Sequence, residues 1–190
     1  MRIISGSFKG KKLLQPLDKL TRPLRDMVKE SIFNLIQHSN QFNVSIKNSN
    51  ILDLFAGSGS FGLECLSRGS KNVTFVENYS KAISILKKNI LNLKLEKNSN
   101  VIEKNCFEYF NNNKLIFDYF DLIFLDPPYK ESNINLILSL IIEKKILKKN
   151  GIIIMHRHKK DDDEIPNTLN KINERLYGIS KIVILELSIN

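Results

Sequence analysis

The sequence predicts an α/β protein with a doubly wound, mostly parallel sheet. From residue 51 onward, short apolar runs alternate with stretches of helical periodicity. Such alternation is typical of parallel strands joined by right-handed crossover helices that cover both faces of a sheet. A glycine-rich turn follows the first run, and an Asp-Pro-Pro sequence ends the fourth. Both mark the carboxyl ends of strands, where doubly wound sheets bind ligands.

The main elements follow from this patterning. Strand-like runs lie at 51–55, 73–77, 101–104, 121–125, 152–156 and 181–187, and helical stretches at about 60–68, 80–95, 106–113 and 133–148. The last strand follows a polar stretch, and we expect it to pair antiparallel at the edge side of the sheet.

The first 36 residues predict a small basic hairpin and a helix. Residues 2–13 (RIISGSFKGKKL) suit a hairpin with Gly6 and Gly10 at turn or bulge positions. The helix is expected to begin at residues 21–22, because Pro23 suits the first turn. Its predicted core-facing stripe consists of Leu24, Met27, Val28, Ile32, Leu35 and Ile36.

Composition indicates one globular domain spanning 1–190, with residues 1–50 as a basic extension and 51–190 as the core. The chain is 42% hydrophobic and 26% charged, values typical of globular proteins. Cys65 and Cys106 fit neither a metal site nor a disulfide framework, so we expect a reducing, cytoplasmic environment. We also expect a monomer. The sequence shows no signal peptide or membrane-spanning run.

Charge is concentrated at the N-terminal end. The net charge is +9, and residues 1–50 hold nine Lys or Arg against three Asp or Glu, or +6. Of the 29 basic residues, 23 are lysines, which suggests a compositional bias. The distribution of charge along the chain is therefore more informative than the net charge. It favours contact between this end and a nucleic acid.

The first strand leads into a nucleoside-binding motif. Gly57, Gly59 and Gly62 satisfy the G-x-G-x-x-G dinucleotide pattern between a strand and a helix. Glu77 ends the second strand, where an acid can bind ribose hydroxyls. NAD therefore stays open as a ligand.

Two features favour S-adenosylmethionine over NAD. Asp53 lies inside the first strand, where it can meet the cationic amino-acid portion of a ligand, and the chain leaves no second domain for a hydride acceptor. Asn105 and Cys106 follow the third strand and can address adenine through a side-chain amide and a backbone N–H. The predicted cofactor contacts are Asp53, Phe55, Ala56, Gly57, Gly59, Glu77, Asn105, Cys106 and Asp126.

The sequence Asp126-Pro127-Pro128-Tyr129 ends a buried apolar strand, since neither proline can donate to a ladder. A carboxylate, rigid peptide carbonyls and an aromatic ring suit a planar group bearing an exocyclic amine. A Pro-Pro turn with a surface tyrosine is the alternative that the motif alone leaves open. If the fourth strand lies beside the first, Asp126 faces the glycine loop, and an electrophilic methyl group and an amine can meet in one crevice.

The chain resembles the class I methyltransferases, and specifically the bacterial 16S rRNA (guanine(966)-N2)-methyltransferase family. The resemblance spans nearly the whole chain and rests on RIISGSFKGKKL, TRPLRDMVKESIFNLI, LDLFAGSGSFGLECLSRG, FVEN, FLDPPY and RLYGISKIVIL. One departure is an arginine at position 25 where the family has one after Asp26.

The resemblance implies a Rossmann-like, seven-stranded-type sheet and methylation of the N2 amine of a guanine in 16S rRNA. The catalytic residues would be Asp126, Pro127, Pro128 and Tyr129. Asp126 and the Pro127 carbonyl would accept from the amine, and Tyr129 would stack on the base. The substrate would be 16S rRNA, within the small ribosomal subunit or an assembly intermediate. The residues implied to hold RNA phosphates are Lys9, Lys11, Lys12, Arg22 and Arg25.

Other functions remain open at this stage. An amino-methyltransferase acting on adenine or cytosine in DNA would share the Asp-Pro-Pro-Tyr chemistry, although 190 residues leave no target-recognition domain. A non-catalytic RNA-binding module is a further possibility, and a dehydrogenase is a distant fourth.

Overall fold

A computed structural model describes residues 1–16, 24–111, 119–128 and 130–188. Within these residues, seven strands form one sheet in the order β3-β2-β1-β4-β5-β7-β6. The strands are β1 (Asn50–Leu54), β2 (Asn72–Glu77), β3 (Ser99–Glu103), β4 (Phe120–Leu125), β5 (Leu147–His158), β6 (Leu169–Tyr177) and β7 (Ser180–Leu187). The helices are α1 (Asp26–His38), α2 (Ser60–Ser67), α3 (Ser80–Leu93), α4 (Cys106–Phe110) and α5 (Ile134–Glu143), with a 3-10 turn at Glu96–Asn98.

The first strand lies where the strand order reverses. Strand β1 pairs in parallel with β2 on one side and β4 on the other, and Leu54 is in register with both Val76 and Leu125. The predicted neighbourhood of the first and fourth strands is therefore confirmed, as is the doubly wound fold class. The carboxyl ends of β1, β2 and β4 meet at one edge of the sheet, where such folds place their ligands.

The C-terminal end of the sheet differs from the prediction. Strand β7 is not at the edge, because it pairs antiparallel with both β5 and β6. The sequence analysis missed β6, which is now the edge strand. Its residues are mostly exposed, so it lacks the continuous apolar run that reveals the central strands.

The predicted helix 133–148 is too long. Helix α5 ends at Glu143, and Lys145 adopts a left-handed φ of 53°. Strand β5 then begins at Leu147, five residues earlier than predicted. The first residues of β5 are mostly exposed Lys and Asn, so the apolar pattern reveals only the later part of this strand.

Helix α1 also begins later than predicted. Arg25 is extended, with φ −62° and ψ 140°, and the first helical residue is Asp26, whose acidic side chain suits a helix N-terminus. Residues 21–23 lie outside the described residues. Met27 is 59% exposed, whereas Lys29 is fully buried. The helix buries Val28, Ile32, Phe33 and Ile36 against the sheet.

Residues 2–13 fold back on themselves as predicted, although their pairing is limited to one antiparallel bridge between Arg2 and Lys12. Gly6 and Gly10 both adopt left-handed φ values. Ile3 and Leu13 are buried in the main core cluster. A Cβ at Gly6 would lie 1.9 Å from the carbonyl oxygen of Ser67, so the turn rests directly on the end of α2.

None of the helices in the described segments is long and apolar enough to cross a lipid bilayer.

Candidate active site

The predicted meeting of the first and fourth strands produces a cavity lined by both carboxylates. Asp53 of β1 and Asp126, which follows β4, line it together. Its free volume is about 40 Å³, which accommodates little more than a water molecule. The other lining residues are Met1, Pro16, Leu24, Phe55, Ala56, Ser58, Ser60, Phe61 and Phe124.

The three glycines of the loop differ in φ and in the space around their Cβ positions. Gly57 has a φ of 56° and open space around a Cβ position, so its backbone is accessible to a ligand. Gly59 also has a left-handed φ, of 84°, and a Cβ there would lie 2.4 Å from Leu86 Cδ1. At Gly62, a Cβ would lie 2.3 Å from the Phe75 ring. Gly57 thus leaves space for a ligand, Gly59 permits close approach of α3, and Gly62 permits close packing of α2 on β2.

Phe55 begins the loop in a strained conformation. Its φ of 60° is left-handed, which is uncommon for a residue with a bulky side chain. Such strain persists where surrounding structure holds it and is concentrated at ligand sites. Phe55 and Asp53 line the same cavity, and the cofactor contact of Phe55 stays a prediction.

Glu77 is fixed to the glycine loop by backbone hydrogen bonds. Its Oε2 accepts from the Gly57 N–H at 2.7 Å, and its Oε1 accepts from the N–H groups of Asn78 and Tyr79 at 2.9 and 2.8 Å. Each carboxylate oxygen has two lone pairs, so Oε2 retains acceptor capacity. The side chain is therefore held in place and suits a ribose diol.

Asp53 is almost completely buried. It is 1% exposed, and its Oδ2 accepts from the Gly62 N–H at 2.9 Å. Burial raises its pKa from 3.8 to about 8; the hydrogen bond from Gly62 opposes this, and the negative charges of Asp126 and Glu77 add to it. A cationic ligand group beside this carboxyl would favour the ionised form. Asp53 thus fits the predicted contact with an ammonium group.

Asn105 and Cys106 lie at the start of α4, shortly after β3 ends. Asn105 is the N-cap of this helix, and its Oδ1 accepts from the Glu108 N–H at 2.8 Å. Cys106 is buried, which raises the pKa of its thiol, and it packs as a small apolar residue. Their contact with adenine stays a prediction.

Asp126 has a partner that the sequence analysis missed. Its Oδ1 lies 2.8 Å from Nδ1 of His156, whose Nε2 lies 2.9 Å from Oγ of Ser180. Pro127 is buried, and Pro128 is exposed and accepts from the Glu131 N–H through its carbonyl. Tyr129 lies outside the described residues, so its stacking role stays a prediction.

The loop after Pro128 is held by a buried arginine. Arg157 is 3% exposed and donates to both carboxylate oxygens of Asp163 at 2.8 and 2.9 Å. It also donates to the Glu131 carbonyl at 3.0 Å. The acidic turn 161–163 thus neutralises a buried cation that holds the loop after Pro128.

The basic hairpin presents its charges to solvent. Lys9, Lys11, Lys12 and Arg25 are exposed, as phosphate contacts require, and Arg22 lies outside the described residues. Their binding to RNA stays a prediction.

A buried ion network anchors this hairpin behind the glycine loop. Glu64 of α2 is fully buried and accepts from the N–H groups of Ile4 and Ser5 at 2.7 and 2.9 Å. Lys29 of α1 lies 3.7 Å from Glu64 and donates to the Arg2 carbonyl at 2.8 Å. Burial lowers the pKa of Lys29, and Glu64 opposes that shift. Neither residue attracts attention by its spacing, so the sequence offered no signal for this network.

An amide bridge joins the hairpin to the loop itself. Asn89 of α3 accepts from the Leu14 N–H at 2.8 Å and donates to the carbonyls of Leu14 and Ser58 at 3.1 and 3.0 Å. Since Ser58 lies in the glycine loop, Asn89 connects this loop to the residue that follows the basic hairpin by hydrogen bonds.

Comparison with known proteins agrees with this geometry. The model of the family described as Conserved hypothetical protein 95 matches residues 1–186. The chain belongs to this family. The Bacillus subtilis protein YlbH is 37% identical over 187 residues, covering 97% of each chain. Ribosomal RNA small subunit methyltransferase D of Haemophilus influenzae is 34% identical over 180 residues, covering 94% of this chain and 90% of the relative.

Solved structures of similar proteins share the fold over the whole chain. The Haemophilus influenzae protein HI0767 has a TM-score of 0.78 at 33% identity, with 98% of this chain and 97% of that chain covered. The Escherichia coli protein yhhF has a TM-score of 0.83 at 25% identity, with 100% and 99% covered. The predicted Rossmann-like methyltransferase fold and the predicted family are confirmed. The methyltransferase relatives also support S-adenosylmethionine as the cofactor of this family member.

Proposed function

We propose that this protein methylates the exocyclic N2 amine of a guanine in small-subunit ribosomal RNA. The observation that carries the proposal is the shared cavity of Asp53 and Asp126, at the carboxyl ends of two neighbouring strands. One carboxylate suits a cationic cofactor and the other a substrate amine. The relatives named as small-subunit rRNA methyltransferases support rRNA as the substrate class.

When bound, S-adenosylmethionine supplies the electrophilic methyl group. Glu77, the Gly57 backbone and Asp53 would hold it, since they provide a fixed acceptor for ribose hydroxyls, an accessible peptide and a carboxylate for the ammonium. Asn105 and Cys106 would address the adenine.

The protein's task at the substrate is to orient a weak nucleophile. The lone pair of the guanine amine is delocalised into the ring, and hydrogen bonds from the amine to Asp126 and to the Pro127 carbonyl would favour a more pyramidal nitrogen. As the new N–C bond forms, the nitrogen gains positive charge, which the adjacent carboxylate stabilises. The surplus proton then leaves to water. Proximity in the crevice supplies much of the remaining acceleration.

RNA would reach this crevice along the basic hairpin. Lys9, Lys11 and Lys12 would contact phosphates, which provides affinity without sequence information. The target base must leave its stack, which is easiest in a loop. The chain adds little surface beyond its core for reading sequence, so we expect protein-bound rRNA to be preferred over naked RNA.

The test is methyl transfer from labelled S-adenosylmethionine to small ribosomal subunits from a methylation-deficient strain, with the product nucleoside identified. We expect N2-methylguanosine at one loop site and slower transfer to naked 16S rRNA. Equal rates on both RNAs would contradict the preference for assembled RNA. Absence of label in RNA, with the cofactor bound, would contradict the proposal and direct the search to DNA.

Replacing Asp126 provides the specific variant. We expect Asp126→Ala to lower transfer at least about 100-fold, because the positive charge on the amine loses its stabilising acceptor. Cofactor affinity, measured by calorimetry, should change less than about threefold, since Asp53 and Glu77 remain. The matched control is Asp162→Ala at an exposed position, for which both quantities should be unchanged. Retained turnover in Asp126→Ala would show that this carboxylate is not the amine acceptor.

A further inference from the structure

A row of three polar side chains crosses adjacent strands behind the amine site. Leu125 of β4 is in register with Met155 of β5, so the next residues along, Asp126 and His156, are neighbours. On the other side, His156 is in register with Ile182 of β7. Ser180 lies two residues from Ile182 and therefore points to the same face of the sheet.

The contacts along this row are short and shielded from water. His156 is 3% exposed and Ser180 is 2% exposed. The side chain of Asp126 is 21% exposed, so only its outer part reaches the cleft. Within the described part of the chain, the Asp126 carboxylate makes one side-chain hydrogen bond, from Nδ1 of His156 to Oδ1.

An ionised Asp126 would set the direction of each hydrogen bond along the row. An ionised carboxylate only accepts, so Nδ1 of His156 carries the proton that is donated to Asp126. In the neutral ring, Nε2 is then an acceptor for the Ser180 hydroxyl. The carboxylate thus sets the tautomer, and the hydroxyl, which then donates to Nε2, holds the angle of the ring, as an orienting group does for a catalytic base in other enzymes.

We infer that His156 is a positioning residue that, held by Ser180, aims the Asp126 carboxylate at the substrate amine. The inference rests on the proposed function, in which Asp126 accepts from that amine. With Oδ1 engaged by the histidine, Oδ2 is directed to the incoming N–H. A carboxylate without this partner can rotate about its side-chain torsions, and small errors of placement lower rates strongly.

Replacing His156 by Asn or by Gln can distinguish this positioning role from simple core packing. The side-chain nitrogen of Asn can take the place of Nδ1, whereas that of Gln reaches the place of Nε2. His156→Asn therefore keeps the donor to Asp126, His156→Gln keeps only the contact with Ser180, and His156→Leu removes both at similar volume. His38→Asn, at the exposed end of α1, is the matched control.

Steady-state methylation of small subunits is measured for each variant, together with calorimetric cofactor affinity and the melting temperature. We expect kcat to fall about 30-fold in His156→Leu and His156→Gln, and to recover to within about threefold of the wild type in His156→Asn. The KM for S-adenosylmethionine should stay within about twofold throughout, because the proposed contacts at Asp53, Gly57 and Glu77 are unchanged. Ser180→Ala should have an intermediate kcat.

A purely structural histidine would give a different pattern. Loss of kcat would then follow the loss of melting temperature, and the Asn and Gln variants would be equivalent. That result, or a His156→Leu enzyme with a kcat within twofold of the wild type, would overturn the inference.

A second readout does not depend on turnover. In the ¹⁵N-histidine NMR spectrum of the wild type, we expect an Nδ1–H proton signal that exchanges slowly with water and disappears in Asp126→Ala. If the wild type methylates no RNA but this signal behaves as expected, the proposed function fails while the positioning contact stands. If the signal is absent from the wild type, the positioning inference fails whatever the substrate.

Discussion

Asp53→Asn should stabilise the protein without its cofactor. The pKa of Asp53 is raised from 3.8 to about 8 because the carboxyl is buried, so between these values the folded protein binds one proton more than the unfolded chain. The free energy of unfolding therefore falls as pH rises through this window, by about 1.4 kcal/mol per pH unit. At pH 7 the accumulated cost is roughly 4 kcal/mol.

The amide removes this cost and keeps the local structure. Its side-chain oxygen can accept from the Gly62 N–H, which bonds to Oδ2 at 2.9 Å in the wild type. We expect the free energy of unfolding of Asp53→Asn to exceed that of the wild type by about 2 kcal/mol at pH 5 and about 4 kcal/mol at pH 7. The difference should not increase further above pH 8. Urea unfolding of both proteins from pH 5 to pH 9 measures this difference. Asp162→Asn, at an exposed site, should stay within about 0.5 kcal/mol of the wild type throughout.

The same change should weaken cofactor binding. Since a cationic group favours ionised Asp53, S-adenosylmethionine should release a proton on binding below pH 8 and bind more tightly as pH rises to that value. Calorimetry in buffers of different ionisation enthalpy detects this proton, and Asp53→Asn should release none. A stability difference that does not vary with pH, or an amide variant less stable than the wild type, would refute the assignment of Asp53 as a buried, protonated carboxyl.

Two further predictions concern the N-terminal hairpin. Gly6→Ala should lower the free energy of unfolding by about 3 kcal/mol, because its Cβ would meet the last carbonyl of α2 at 1.9 Å. The control Gly10→Ala has a similar φ but open space around the Cβ, and it should lower the free energy of unfolding by about 1 kcal/mol. Equal losses in urea unfolding would show that the turn does not rest on α2. Replacing Lys9, Lys11 and Lys12 together by alanine should lower RNA affinity and reduce its log–log salt dependence by about 2 to 3, with cofactor affinity unchanged. A salt dependence equal to that of the wild type would place RNA on another surface.

Much of the fold could be predicted because the central strands are buried on both faces. The runs around Leu52, Phe75 and Ile123 are short and mostly apolar, which distinguishes them from the helices between them. The edge strand β6 has no such run, since most of its residues are exposed, and it was missed. The boundary between α5 and β5 was misplaced because β5 begins with exposed polar residues that carry no apolar signal.

The candidate site divides in a similar way. The glycine loop, Asp53 and Asp126 could be predicted because glycines that adopt left-handed φ values, and carboxylates at strand ends, are visible in the residue order itself. Their partners could not. His156 lies 30 residues from Asp126, and Glu64 lies 60 residues from the Ile4 N–H that it accepts.

By itself, the sequence indicated the class of fold, the glycine loop and the two carboxylates at strand ends, since each depends on local backbone preferences and residue chemistry. The tertiary structure alone decided how His156 and Ser180 meet Asp126 and why the pKa of Asp53 is raised. Those properties depend on the register between distant strands and on the exclusion of water, and both arise only when the whole sheet is packed.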